Sequence, residues 1–197
     1  VTNRVLQASM TQSLGERLHT LAQGRAKAIG DLLTQEIQRL NTLALNKPLQ
    51  DAVTSANAQY QGNANQIQAQ LLARDTQWRA ARDDVDPLIQ TRLFQGGAIG
   101  LQSYQAIFPN NIEIFVTDRY GGVVATTNRT SDYLQADEAW WQVADNQGQG
   151  AVSIGQPVYD DSSKASAVTI AVPVYRPGTR EVIGVLRSTY RLQALAD

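Results

Sequence analysis

Cysteine is absent from the 197 residues, and histidine occurs once, as His19. The first absence removes disulfides, thiol nucleophiles and thiolate metal sites. The second removes any site built on several imidazoles, and it leaves no histidine near the aromatic segment described below for a Ser-His-Asp triad. His19 reads as a helix-surface residue. An excess of one charge is missing as well: 17 Lys and Arg stand against 18 Asp and Glu, a net charge of −1. The basic residues form no run, so the chain offers no electrostatic footprint to nucleic acid or to an anionic membrane surface. No apolar stretch approaches the roughly 20 residues that cross a bilayer, and no signal peptide is visible. The acidic cluster Asp83, Asp84 and Asp86 lacks the glycine and spacing of a calcium loop and reads as a solvated helix start. Neither a metal nor a cofactor is expected. With a start at Val1 and one methionine, Met10, the sequence reads as a piece of a longer protein, with membrane segments expected beyond it.

What the chain does have is two of its three tryptophans side by side, in Asp132-Tyr-Leu-Gln-Ala-Asp-Glu-Ala-Trp-Trp-Gln-Val-Ala144. The segment lies between strand-like stretches and carries Tyr133, Asp137 and Glu138 beside Trp140 and Trp141. Aromatic walls with a few charged groups suit a small-molecule pocket, and a cation can rest on an indole face. The same residues also suit a helix that docks its tryptophans on a sheet as core.

Residues from about Gln12 to Asn46 read as one helix about 50 Å long. Leu14, Leu18, Leu21, Arg25, Ala28 and Leu32 recur at alternating spacings of four and three. The stripe then shifts by one position and continues as Leu33, Ile37, Leu40 and Ala44. A second copy of the same helix is the simplest partner for the part that one small domain cannot cover; packing within the chain is the alternative. Lys47-Pro48 ends that helix. Shorter helices are expected over Leu49–Ala58, Gln66–Arg82, Pro87–Phe94 with Asp86 as cap, and Leu101–Phe108 after the break at Gly96-Gly97. Beyond Pro109 the pattern changes to strands. Ile112–Thr117 and Val123–Thr127 form a hairpin, a helix covers about Asp137 to Asp145, and strands follow at Ala151–Tyr159, Ala167–Tyr175 and Val182–Tyr190. The fold expected is α+β, a five-stranded antiparallel sheet with helices packed on it.

The long first helix, the hairpin, the segment Asp132–Ala144, and the runs Val158-Tyr-Asp-Asp-Ser-Ser163, Ile170-Ala-Val-Pro-Val174 and Ile183-Gly-Val-Leu186 together resemble Cache domains. These are the PAS-like extracytoplasmic sensors of bacterial receptors, and the resemblance spans essentially the whole chain with one PAS-like unit. It implies residues 1–46 as a membrane-proximal helix, 47–108 as a helical segment packed on the core, 109–192 as the PAS-like core, and 193–197 as a lead into a membrane helix. It also implies ligand sensing outside the membrane, passed by helix movement to a histidine kinase, cyclase or methyl-accepting domain.

Amino-acid-binding members of the family carry Tyr-x4-Arg-x-Trp-Tyr-x2-Ala and a downstream Asp. Here Tyr133, Trp140 and Ala144 match, Trp141 replaces the second tyrosine, and Asp160 or Asp161 can supply the carboxylate. Glu138 stands where the family arginine grips a ligand carboxylate, and a glutamate there repels one. A neutral or cationic ligand, such as an amine or polyol, is therefore expected ahead of an amino acid in the usual pose. On helical spacing Asp137, Trp140, Trp141 and Ala144 share a face, and Glu138 lies about 100° from Asp137. Tyr159 and Tyr175 face either the pocket or solvent. Arg129 and Lys164 are the nearest cations able to partner a carboxylate.

Three functions follow. The first is an extracytoplasmic sensor of a small molecule (amine, polyol or amino-acid-like), membrane-anchored in its full-length protein and weakly homodimeric through the first helix. The second is an interaction or dimerisation module with no ligand, regulated by a partner protein. The third is an enzyme using Asp137 or Glu138 with Asp160 or Asp161 as a glycosidase carboxylate pair. Nothing beyond that pair supports catalysis, so no enzyme is expected.

Overall fold

Side-chain caps set the helix starts. The computed structural model describes residues 2–82, 85–160 and 165–192, except the side chains of 2–9, 11, 160 and 165. Asn46 accepts a hydrogen bond from the Leu49 amide and Pro48 fills the first turn, so α2 (Lys47–Asn57) begins where α1 (Thr2–Ala44) stops. Pro48 thus opens a helix as well as closing one. Asn63 and Gln66 form a reciprocal capping box on α3 (Ala64–Ala80). Asp86 caps α4 (Pro87–Phe94) through the Leu88 amide at 2.8 Å. The next helix, expected from Leu101, starts four residues earlier as α5 (Gly97–Ile107). Gly96, at φ +55°, makes the break alone, and Gly97 is already helical. A Cβ on Gly97 would lie 3.2 Å from Leu49 Cδ1, so the missing side chain lets α5 approach α2.

The molecule divides into two units, Val1–Gln38 and Arg39–Asp197. The first unit is helical, and its Leu14, Leu18 and Leu21 are exposed. In the second, Leu40 and Ala44 are buried on the final turns of α1.

The sheet of the second unit runs β2 (Val123–Thr126), β1 (Asn111–Asp118), β6 (Val182–Leu192), β5 (Ala165–Tyr175), β3 (Ser153–Ile154), with every neighbour antiparallel. The strand expected over Ala151–Tyr159 is broken: β4 (Val158–Asp160) also pairs with β5. Ile154 sits opposite Ile170 and Val158 opposite Ala167, so four steps on the edge face three on β5. Pro157 lies in that offset, where it has no amide to give to a ladder.

Strand alternation sorts the side chains into two faces. Ile114, Val116, Ile170, Val172 and Leu186 lie on the face that meets α2 and α5. Glu113, Phe115, Thr117, Thr169, Ala171, Val185, Arg187 and Thr189 lie on the other. Trp78, Tyr133, Phe115, Ile89 and Leu71 belong to one buried cluster on that second face, and Trp78 Nε1 donates to the Thr130 carbonyl at 2.8 Å.

The segment crossing the second face is held from below by the β1–β2 turn. Asp118, fully buried, accepts from the amides of Tyr120 at 2.8 Å and Gly122 at 3.0 Å and from Tyr60 Oη at 2.7 Å. Tyr60 Oη lies 3.4 Å from Tyr133 Oη. A Cβ on Gly122 would sit within 3 Å of Tyr60, Asp118 and Tyr133, so only glycine lets the three side chains meet there. Burial holds the Asp118 carboxyl above its ordinary pKa, against the opposing pull of its hydrogen bonds. The native chain then keeps that proton at pH values where the unfolded chain has released it. Asp118 accordingly adds stability at low pH that is lost as pH rises through its folded value. Asp118→Asn keeps one oxygen in place of Oδ1, which accepts from both amides, without the titrating charge. In urea denaturation, wild type should lose stability relative to the variant from about pH 4, the unfolded carboxylate value, upward. A difference between the two that does not change with pH, or that changes in the opposite direction, rules this out.

Candidate functional site on the sheet face beneath α6

The short helix α6 (Ala139–Asp145) carries the tryptophan pair over β3, β5 and β6. It starts two residues later than expected, so Asp137 and Glu138 precede it, and both are exposed. Asp137 is therefore off the helical face it was expected to share with Trp141. The C-terminal end is closed by Asn146 in the left-handed region, with Gly148 and Gly150 in the loop that follows.

The two tryptophans differ in role. Trp141 is 8% exposed, packs on Ala144, Ala171 and Val185, and donates from Nε1 to Thr117 Oγ1 at 2.9 Å. That is a core residue with its one polar atom satisfied. Trp140 is half-buried and stands edge-on to Phe115, with centroids 5.7 Å apart and planes at 82°.

Between those two rings lies Arg187, a residue the sequence reading passed over. Its guanidinium carbon is 5.1 Å from the centroid of each ring. Nη1 lies 3.4 Å from Glu113 Oε2 and Nη2 lies 3.4 Å from Thr169 Oγ1. Nε is buried and has no partner among the described residues. Thr189 Oγ1 reaches the same Glu113 oxygen at 3.4 Å. Register explains the grouping: Phe115 faces Arg187 across β1 and β6, Glu113 faces Thr189, and Thr169 faces Thr189 on the other side. Burial pulls the Arg187 guanidinium below its ordinary pKa, and the charges of Glu113, Glu138 and Asp132 oppose that pull. An arginine in the middle of Val-Ile-Gly-Val-Leu-Arg187 was the visible signal, and so was Glu113 inside an apolar strand.

The other expected site residues are dispersed. Tyr133 is fully buried, with its hydroxyl 3.4 Å from Tyr60 Oη and from Arg74 Nη1. Its amide and that of Leu134 donate to Asp75 Oδ1 at 2.8 and 3.1 Å. Tyr159 pairs with Ser166, which puts it on the face opposite Arg187, and its side chain is exposed. Tyr175 is half-buried at the far end of β5, near Gly150. Asp160 closes β4, and its side chain is not described; Asp161 and Lys164 fall outside the described residues. Arg129, expected as a possible carboxylate partner, is committed elsewhere: it donates to the Trp78 and Ala81 carbonyls and lies over the Trp78 ring. Asp132 is paired with Arg79 at 3.4 Å. Among the described residues, no three His, Cys, Asp or Glu side chains come together as a metal site.

An antiparallel sheet with α2 and α5 on one face and α3, α4, α6 and a strapped segment on the other is compatible with a PAS-like sensor, and a family model agrees. Residues 86–197 match the model of the methyl-accepting chemotaxis protein-like, first PDC sensor domain, and the chain belongs to this family of Cache/PDC sensor domains. It is a signal-transduction sensor domain, of a non-catalytic kind. No curated protein matches the chain. Among solved structures it is similar to the sensor domain of the V. cholerae histidine kinase DctB. That match has 17% identity and a TM-score of 0.47, over 84% of this chain and 51% of that one. It is also similar to the ligand-binding domain of the Pseudomonas aeruginosa amino acid chemoreceptor PctC in complex with GABA, at 12% identity and TM-score 0.37 over 85% and 61%. A third is the ligand-binding domain of the Campylobacter jejuni chemoreceptor Tlp3 in complex with 4-methylisoleucine, at 14% and 0.36 over 80% and 59%. The chain thus spans less than two thirds of each of these structures. Among the described residues, no helix is long and apolar enough to cross a membrane.

The separation of roles between the tryptophans is testable. Trp141→Ala should cost about 3–5 kcal/mol in chemical denaturation, as large-to-small core changes do. Trp141→Phe, which keeps most of the packing and loses the bond to Thr117, should cost much less. Native stability in Trp141→Ala would return Trp141 to the list of ligand contacts.

Proposed function

We propose that this chain is the extracytoplasmic ligand-sensing domain of a bacterial signal-transduction receptor. It binds a small molecule, an amine, polyol or amino-acid-like compound, on the sheet face beneath α6 and the segment Thr130–Ala144. The observation that carries this reading is the half-buried Trp140 standing beside the partly buried charged pair Arg187 and Glu113, because a sheet face meant only for packing gains nothing from charged side chains. Binding there would bear on β6 and β1 together, and the helices covering the opposite face would carry the change onward. Residues 1–46 are the transmitting helix in this scheme, and 109–192 the sensing core.

A library of amines, polyols and amino acids screened by thermal shift tests the reading. A ligand at a hundredfold excess over its Kd should add about 2.7 kcal/mol of stability. Trp140→Ala should abolish the shift while the circular dichroism spectrum stays native. A library without a hit, or hits indifferent to Trp140, counts against the site.

The interaction-module reading keeps one specific support, the exposed Leu14, Leu18 and Leu21 at heptad spacing on α1. We assign this stripe to a weak parallel homodimer, interrupted by Arg25, because an arginine buried in a seam without a partner is costly. Membrane tethering would raise the effective concentration enough to offset the weakness. Arg25→Leu should tighten self-association in sedimentation velocity, and an unchanged monomer would remove this face as the seam.

A further inference from the structure

An arginine already occupies the place expected for a ligand cation. The tryptophan pair suggests a cation resting on an indole, yet Arg187 lies 5.1 Å from the centroid of the Trp140 ring and equally close to Phe115. A cationic ligand brought to this wall would meet a like charge. The charge balance around Arg187 leads to the opposite ligand class. Its side chain is 20% exposed and that of Glu113 is 26% exposed, so the pair is largely withdrawn from water. Charge-assisted bonds of this kind run at about 2.7–2.9 Å. The contacts to Glu113 and Thr169 are both 3.4 Å, and Nε has no partner among the described residues. The guanidinium is therefore fixed in direction by two aromatic rings and bonded only loosely. Glu113 in turn keeps Thr189 as a donor and an open side, so it can give up the arginine without becoming a buried bare charge.

We propose that Arg187 anchors a carboxylate of the ligand, and that Glu113 is an internal counter-ion which the ligand carboxylate displaces. Arg187 can do this only if a small molecule binds on this face, as proposed above. Glu138 is exposed and Asp132 is held by Arg79, so neither closes the site to an anion as the sequence suggested Glu138 would. The carboxylate can belong to a plain acid or to an amino acid, and the probes separate the two.

The test is isothermal titration of the 197-residue chain with butyrate, butyramide, butylamine and 2-aminobutyrate, together with the branched and hydroxylated homologues of each. At least one carboxylate should bind, about tenfold or more tighter than its amide. Arg187→Gln should abolish that binding. Glu113→Gln should tighten it by at least about threefold, by removing the competing charge. Binding by 2-aminobutyrate compounds alone identifies amino acids as the source of the carboxylate; binding by the plain acids identifies those. An amide or amine that binds as tightly as its acid overturns the proposal, as does carboxylate binding that survives Arg187→Gln or is weakened by Glu113→Gln. Should Arg187→Gln fail to fold, the acid–amide comparison and Glu113→Gln decide without it. An amine or polyol that binds wild type and Arg187→Gln alike would leave ligand sensing standing and remove Arg187 from it. Silence from every probe and from the wider library would remove both.

Discussion

The buried carboxylate of Asp118 is the tie on which the second face of the sheet depends. It ends β1, folds the tight turn into β2 through two amides, and receives Tyr60 from the connection between α2 and α3. Tyr60 meets Tyr133, and Arg74 lies 4.8 Å over the Tyr60 ring while also reaching Tyr133. Asp75 takes the amides of Tyr133 and Leu134, and Val123 and Gln135 add backbone bonds to the same strap. Three donors converge on one desolvated carboxylate, and stranding any of them would cost more than a single bond contributes. The strap over the sheet thus has a fixed lower half, and α6 inherits its position from it.

From that anchor the two sides of the sheet take different characters. The side under α2 and α5 is mainly aliphatic, closed by Val53, Leu49 and Leu101, with Ser188 satisfied by Asn111. The other side changes along its length, from the Trp78 and Tyr133 cluster, through the Trp141 packing, to the charged and hydroxylated patch at Glu113, Arg187, Thr169 and Thr189. One strand, β6, belongs to both: Leu186 packs on the helices and Arg187 stands among the aromatics. A force on either side chain is felt by a backbone that both share.

Much of the fold was legible because its signals are local. Asp86-Pro87 marked α4 correctly, since a capping carboxylate and a proline in the first turn act within a few residues. The hairpin of β1 and β2 was equally plain from alternation and a glycine turn. The errors came where distant parts of the chain decide. Gly97 reads as a breaker in isolation, but it is the close approach of α2, which leaves little room for a side chain, that accounts for a glycine inside the helix. The motif ranked Trp140 and Trp141 together, and the structure separates them in burial, because nothing local reveals that Thr117 waits for the Trp141 indole N–H. Arg187 and Glu113 are 74 positions apart, and Phe115 and Arg187 are 72 apart. Each stood out as a charge inside an apolar strand, but only the strand register brings them together, and a reading centred on Asp132–Ala144 did not pair them.

The interrupted edge of the sheet has a consequence of another kind. Ile154, Val158 and Tyr159 leave apolar side chains exposed along β3 and β4, which among the described residues pair only with β5. An unbroken strand with that composition would be a template onto which a neighbouring molecule could add its own edge. The extra residue and Pro157 spoil the spacing of the ladder, so an incoming strand finds two short pieces out of step with each other. A domain whose sheets joined edge to edge would polymerise. The irregularity denies a neighbouring molecule a continuous edge to extend.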